Sequence, residues 1–329
     1  MYLAATDRYE QLPIRQVGKT GLRLPAVSLG LWHNFDSASP YYQRKQLLLA
    51  ALDRGVFSFD CADRYGSPEV GSAEKLLGEV LQHEFKPYRD ELVITTKTGF
   101  RTYPGPYGYS LSRKSILQAI DHSLERLKTD YVDIYYAHRF DPTVDLFETA
   151  QALDQVVRSG KALYIGVSNF DAQQTAKIAA MFRDLKTPFV VNQVSYNMLN
   201  QSVEQDDLLD KMQQLGAGLV AYGPLAEGLL SDRYLSGIPA DFAIHRTSNH
   251  VFDQGKAVVT TKLQALNKLA QKREQSLSQM ALAWLLRNQV VSSVIIGTTS
   301  IEHLDENLQA LEHADFTATE LEQIQKILN

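Results

Sequence analysis

Within Tyr131-Val-Asp-Ile-Tyr-Tyr-Ala-His138, Val132 to Ala137 is a run rich in β-branched and aromatic residues and of the length of one buried strand. Val144 to Ser159, just after it, repeats its apolar residues with a helical period, and Ala162 to Val167 reads as a strand again. Two strands joined through a helix lie parallel, with the helix covering one face of the sheet. The same alternation extends outward in both directions. Upstream, Val27 to Leu29, Val56 to Asp60 and Leu92 to Lys97 precede helical stretches at Tyr42 to Arg54, Ser72 to His83 and Ser112 to Leu127. Downstream, Ala172 to Phe182 is helical, and Val190 to Val194, Leu219 to Tyr222 and Ser293 to Ile296 supply further strands, each leading into a helical stretch. About eight such units close a TIM barrel. A doubly wound sheet competes, but the turn after its first strand would carry a glycine fingerprint, and this one reads Gly30-Leu-Trp-His-Asn-Phe35. The expected fold is α/β, a (β/α)8 TIM barrel. Without a linker or low-complexity tract, it is expected to form a single domain over 1–329.

Ile14 to Leu24 alternates around Gly18-Lys-Thr-Gly21 and predicts an N-terminal β-hairpin acting as a lid or plug. It lacks the spacing of a P-loop. Two segments exceed ordinary loop length, Gly99 to Leu111 and Gly228 to about Thr260. Both follow strands, which places them on the active face of a barrel. The final stretch from Thr319 to Leu328 is helical in period and is expected across the barrel or its rim.

Composition narrows the function. The 329 residues are 44% apolar and 22% charged, with a formal net charge of −5, which offers no basic footprint for nucleic acid or an anionic membrane. One cysteine, Cys61, excludes an internal disulfide and suits a reducing compartment; it reads as a packing residue. Residues 1–12 are polar and mixed in charge, unlike a signal peptide, and no apolar run approaches a membrane span. A cytoplasmic protein acting on a small molecule is expected.

Four polar residues fall at or just after the carboxyl ends of predicted strands: Asp60, Tyr65, Lys97 and His138. Together they suit proton delivery to a carbonyl under reduction. An ammonium at Lys97 favours the phenolate of Tyr65 and so is expected to lower its pKa. Asp60 would neutralise and orient Lys97, and His138 would position the carbonyl oxygen by a hydrogen bond. From the barrel alone, Lys97 as a Schiff-base nucleophile is the competing chemistry. His245 and His250 lack a metal-ligand pattern, and no metal is expected. Arg101 and Arg113 are rim cations that could meet a substrate phosphate, though an exposed loop Arg is more often simply solvated.

The segment Gly55-Val-Phe-Ser-Phe-Asp60-Cys-Ala-Asp-Arg-Tyr65-Gly66, with Ser72-Ala-Glu74 and Leu77-Gly78, resembles the aldo-keto reductase signature. Further matches follow in order: Thr95-Thr-Lys97, Tyr131 to Arg139, Gly160-Lys161, Tyr164-Ile-Gly166-Val-Ser168-Asn169, Asn192-Gln193, Tyr222-Gly-Pro224-Leu-Ala226, Ile296-Gly297 and Glu306-Asn307. Within the family, Trp32-His-Asn-Phe35, Tyr103-Pro-Gly-Pro-Tyr-Gly108 and Gly228-Leu-Leu230 are similar to the branch of bacterial L-glyceraldehyde 3-phosphate reductase and the potassium-channel β subunits.

The resemblance implies NADPH-dependent reduction of short polar aldehydes, such as L-glyceraldehyde 3-phosphate or methylglyoxal, with Tyr65 as general acid and NADH possible. It implies that Ser168, Asn169 and Gln193 hold the nicotinamide carboxamide and that Tyr222 stacks on the ring. Gly223, Pro224, Leu225 and Arg233 would flank the pyrophosphate. Gly297, Thr299, His303, Glu306 and Asn307 would hold the adenosine end, with Trp32, Asp60 and Glu227 also along the groove. Ser168 and Asn169 are open to a plainer reading, as a cap of the helix before Asp171. His303, Glu227 and Ala243 depart from the pattern that favours a 2′-phosphate, and Arg246 is the compensating candidate. A regulatory subunit with slow turnover is the alternative the resemblance offers, and a homo-oligomer, tetramer or octamer, is an expected assembly.

Overall fold

The computed structural model describes residues 2–244 and 250–329. Two short strands, β1 (Ile14–Gln16) and β2 (Arg23–Pro25), form the expected antiparallel hairpin. Eight more follow: β3 (Val27–Gly30), β4 (Ser58–Asp60), β5 (Val93–Thr98), β6 (Val132–Ala137), β7 (Ala162–Ser168), β8 (Phe189–Ser195), β9 (Gly218–Tyr222) and β10 (Val291–Ile296). They close a barrel in the order β10-β3-β4-β5-β6-β7-β8-β9, all parallel. Closure excludes the doubly wound sheet. At the seam, Val27 pairs with Val294, and the buried hydroxyls of Ser28 and Ser293 lie 2.7 Å apart.

The helices around the barrel are α1 (Tyr41–Asp53), α2 (Ser72–Gln82), α3 (Arg113–Leu127), α4 (Leu146–Arg158), α5 (Ala172–Leu185), α6 (Ser202–Gln205), α7 (Leu208–Leu215), α8 (Lys256–Lys272), α9 (Leu277–Leu286), α10 (Ile301–Leu308) and α11 (Ala318–Leu328). Strand continuity reflects burial on both faces: every residue of β4, β5, β6 and β10 is buried. Gly166 of β7 is fixed by this packing, since a Cβ there would come 2.4 Å from the ring of Tyr136 on β6.

The hairpin is a plug at the end of the barrel remote from the loops expected to carry chemistry. Lys19 N donates to Gly216 O over 2.8 Å, and the Arg15 guanidinium reaches Leu286 O over 2.8 Å. Gly216 and Leu286 precede β9 and β10, so these contacts lie at the amino ends of the strands, with Val17 fully buried beneath. Helix α11 packs on α8, where the Lys262 ammonium donates to Leu328 O at 2.6 Å.

Candidate active site

Strand period two sets the centre of the site. In β5, Thr95 and Lys97 share one face and reach Asp60 of β4, while Thr96 turns to the opposite face and bonds Glu74 of α2. Asp60 accepts from the Lys97 ammonium at 2.5 Å through one oxygen. Through the other it accepts from Thr95 Oγ1 at 2.7 Å and Gln193 Nε2 at 2.8 Å. Lys97 also donates to Cys61 O at 2.8 Å and to the Tyr65 hydroxyl at 3.1 Å. Just past β6, the His138 backbone N–H donates to Thr98 O, and its ring meets Tyr65 edge-on at a centroid distance of 5.8 Å. Asp60, Tyr65, Lys97 and His138 therefore converge, all buried, at the carboxyl ends of β4, β5 and β6.

The other half of the rim carries the residues expected along a cofactor groove. Ser168 of β7 pairs in register with Gln193 of β8, and Ser195 pairs with Tyr222 of β9. Asn169, at φ +59°, turns its amide so that Nδ2 donates to His138 O at 2.9 Å and to Ser168 Oγ at 3.1 Å, while Oδ1 accepts from the Tyr222 hydroxyl at 2.8 Å. The cap of α5 is Asp171, in a capping box with Gln174, so Ser168 and Asn169 do not serve as that cap. Gly223 to Leu225 follow β9, next to Gly297 and Thr299 after β10, its paired neighbour. Ser300 caps α10 and accepts from His303 N, with Glu306 exposed and Asn307 buried along that helix. Glu227 sits in a left-handed turn at φ +56°, and Arg233 is exposed in the next 3-10 turn.

Residues 26–329 match the aldo/keto reductase family. The chain belongs to it. An L-glyceraldehyde 3-phosphate reductase of Escherichia coli (strain K12) is 46% identical over 98% of this chain and 94% of its own length. A probable voltage-gated potassium channel subunit beta of Arabidopsis thaliana is 35% identical over 91% of this chain and 90% of its own. Among solved structures, an aldo-keto reductase from Bacillus halodurans in its holo form superposes with a TM-score of 0.78 at 25% identity, covering 97% of each chain. This aldo-keto reductase is thus an NAD(P)H-dependent oxidoreductase acting on small carbonyl compounds. Among the described residues, no helix is long and apolar enough to cross a membrane.

Electrostatics in the centre differs from the expectation in one respect. The Tyr65 phenol is pushed up by burial, and the opposing pull of Lys97 does not overcome it, so its pKa is raised rather than lowered. Burial pulls the Lys97 ammonium down, but Asp60 and Tyr65 outweigh it and keep Lys97 charged. An ammonium held charged against Asp60 disfavours the nucleophilic amine that Schiff-base chemistry needs. Cys61 is wholly buried and its thiol is driven up by that burial, which agrees with a packing role.

Several residues that hold this site in place were not singled out in the sequence. Thr95 lies two positions before Lys97, and the strand period alone puts it on the same face. Arg139 and Asp141 clamp the segment after β5. The Arg139 guanidinium donates to Gly99 O at 2.7 Å, to Phe140 O at 2.9 Å and to Asp141 at 3.2 Å. Asp141 in turn accepts from Leu111 N at 2.9 Å. Arg113 is turned toward Gln155 on α4, while His245 and Arg246, the candidate for a 2′-phosphate, lie outside the described residues.

Asp63, two residues before Tyr65, borders a cavity of about 150 Å3 shared with Thr98, Phe100 and Arg126. It is 3% exposed and one of its carboxyl oxygens has no hydrogen-bond partner. Burial, reinforced by Glu74, pushes its carboxyl up to about 7. The folded state thus keeps a proton that the unfolded chain releases near pH 4, roughly the usual value for Asp. Stability is therefore expected to fall as pH rises from about 4 to about 7, by about 4 kcal/mol in all, and to level off above that. Asp63→Asn is expected to be the more stable protein at pH 8 and to lose that advantage at about pH 4. Urea unfolding of both proteins at the two pH values checks this; a difference independent of pH would contradict it.

Proposed function

We propose that the protein is an NADPH-dependent reductase of short polar aldehydes, of the class of L-glyceraldehyde 3-phosphate and methylglyoxal, with Tyr65 as general acid. The observation that carries this reading is the Tyr65 hydroxyl 3.1 Å from a Lys97 ammonium that is itself 2.5 Å from Asp60. Bound NADPH supplies the hydride for the carbonyl carbon. Tyr65 holds a proton for the carbonyl oxygen, and its raised pKa keeps that proton in place at neutral pH. Lys97 stabilises the phenolate left after transfer, and Asp60 fixes Lys97 through a pair buried too deeply for water to replace. His138, edge-on to Tyr65, orients the same oxygen.

The donor set fits a nicotinamide nucleotide. The Ser168 hydroxyl and the Asn169 and Gln193 amides complement a carboxamide, and Tyr222 offers an aromatic face beside them. Gly223, Pro224, Leu225, Glu227 and Arg233 would line the phosphates, and Gly297, Thr299, His303, Glu306 and Asn307 the adenosine end, with Trp32 on the substrate side. The capped start of α10 presents backbone N–H groups suited to an anion. Glu302 draws on the same turn, its carboxyl held low by its own backbone N–H and by Ser300, so a 2′-phosphate must compete with it.

The E. coli relative supports the phosphorylated substrate, and the similarity to channel β subunits supports a second reading as a regulatory protein with slow turnover. Initial rates of NADPH and NADH oxidation with each aldehyde separate them. Steady turnover with NADPH ahead of NADH is the expected outcome. Tight nucleotide binding without turnover would favour the regulatory reading, and NADH ahead would mean that Glu302, His303 and Glu227 have reshaped the phosphate end.

A further inference from the structure

We propose that Arg64 is the residue that recognises the anionic end of the substrate, which makes this site selective for aldehydes carrying a phosphate. The inference rests on the reading of the protein as an aldehyde reductase and adds the residue that selects the substrate class. Arg64 directly precedes Tyr65 at the carboxyl end of β4 and is partly exposed. Its guanidinium lies over the ring of Phe100, 5.4 Å from the centroid. Phe100 meets the His138 ring edge-on at 4.6 Å, and His138 meets Tyr65 at 5.8 Å. Phenol, imidazole, phenyl ring and guanidinium thus form one continuous row. A carbonyl oxygen between Tyr65 and His138 leaves the far end of a three-carbon chain running over Phe100 toward Arg64.

Most other cations around this rim are committed elsewhere. Lys97 is bound to Asp60, Cys61 and Tyr65. Arg139 spends its donors on Gly99, Phe140, Tyr109 and Asp141. Arg44 donates to Thr299 O, and Arg113 is turned toward Gln155. Among the described residues, the Arg64 guanidinium has no hydrogen bond or ion pair within the chain, only the ring beneath it. With no partner of their own, the guanidinium N–H groups remain for an anion, and a guanidinium binds a phosphate by two parallel N–H···O bonds along its planar edge. Arg101, the next residue after Phe100, is exposed and contributes general positive charge.

The test compares L-glyceraldehyde 3-phosphate with L-glyceraldehyde, which differ only in the phosphate. In Arg64→Gln the ratio of kcat/KM for the phosphorylated over the plain aldehyde is expected to fall between about 10- and 100-fold, the weight of a charge-assisted hydrogen bond. Arg64→Lys, which keeps the charge and loses the fork, is expected to recover part of that ratio. A second readout needs no turnover: with the protein saturated with NADP+, so that the nucleotide's own phosphate positions are filled, inorganic phosphate should raise the thermal midpoint of the wild type more than that of Arg64→Gln. An unchanged ratio, or equal phosphate shifts in the two proteins, overturns the assignment and leaves Arg64 as a packing partner of Phe100. Failure of the wild type to reduce either aldehyde instead retires the reductase reading, and the phosphate shift still decides whether Arg64 binds the anion.

Discussion

Tyr65→Phe is expected to lower aldehyde reduction by at least about 100-fold, the smaller end of what a positioned general acid contributes. The substitution removes one oxygen and keeps the ring that packs against His138, so nucleotide binding, measured by fluorescence titration, should stay as in the wild type. The pH profile follows from the same atom. Because burial outweighs Lys97, the phenol keeps its proton across the neutral range, and reduction should show no loss from Tyr65 ionisation between about pH 6 and about pH 9. Undiminished turnover in the Phe variant would remove Tyr65 from the mechanism.

Lys97→Met is expected to cost about 3–5 kcal/mol of stability along with the activity, because it strands the Asp60 carboxylate in a buried site. Thr95 and Gln193 still donate to that carboxylate, but neither brings a charge. The double variant Asp60→Asn, Lys97→Met removes both charges and should regain most of the lost stability while staying inactive. Thermal unfolding of the two variants beside the wild type reads the effect. Equal destabilisation by the single and double variants would show that the cost is packing, not charge.

The barrel was legible because its strands are buried on both faces and its helices are not, so the alternation of run and period survives in one sequence. β6 spans Val132–Ala137 as read, and most other element ends shift by only one to three residues, where caps rather than pattern decide. The four central residues were legible for a related reason: polar side chains at the ends of apolar strands stand out. What escaped was whatever depends on contacts between distant elements. The place of α11 on α8 is set by a seam that periodicity does not encode. The direction of the Tyr65 shift is hidden in the sequence, which shows the neighbouring ammonium but not the depth of burial that outweighs it. Arg64 does not stand out in the sequence because its contact is with Phe100, a residue 36 positions away in the chain.

The most direct test of the central claim follows a label. Purified protein is mixed with L-glyceraldehyde 3-phosphate and NADPH carrying deuterium at the transferable position, and the product is analysed by mass and by NMR. The account predicts glycerol 3-phosphate with one deuterium on the former aldehyde carbon, formed by the wild type and lost in Tyr65→Phe. Recovery of unreduced aldehyde with the label still on the nucleotide would contradict it.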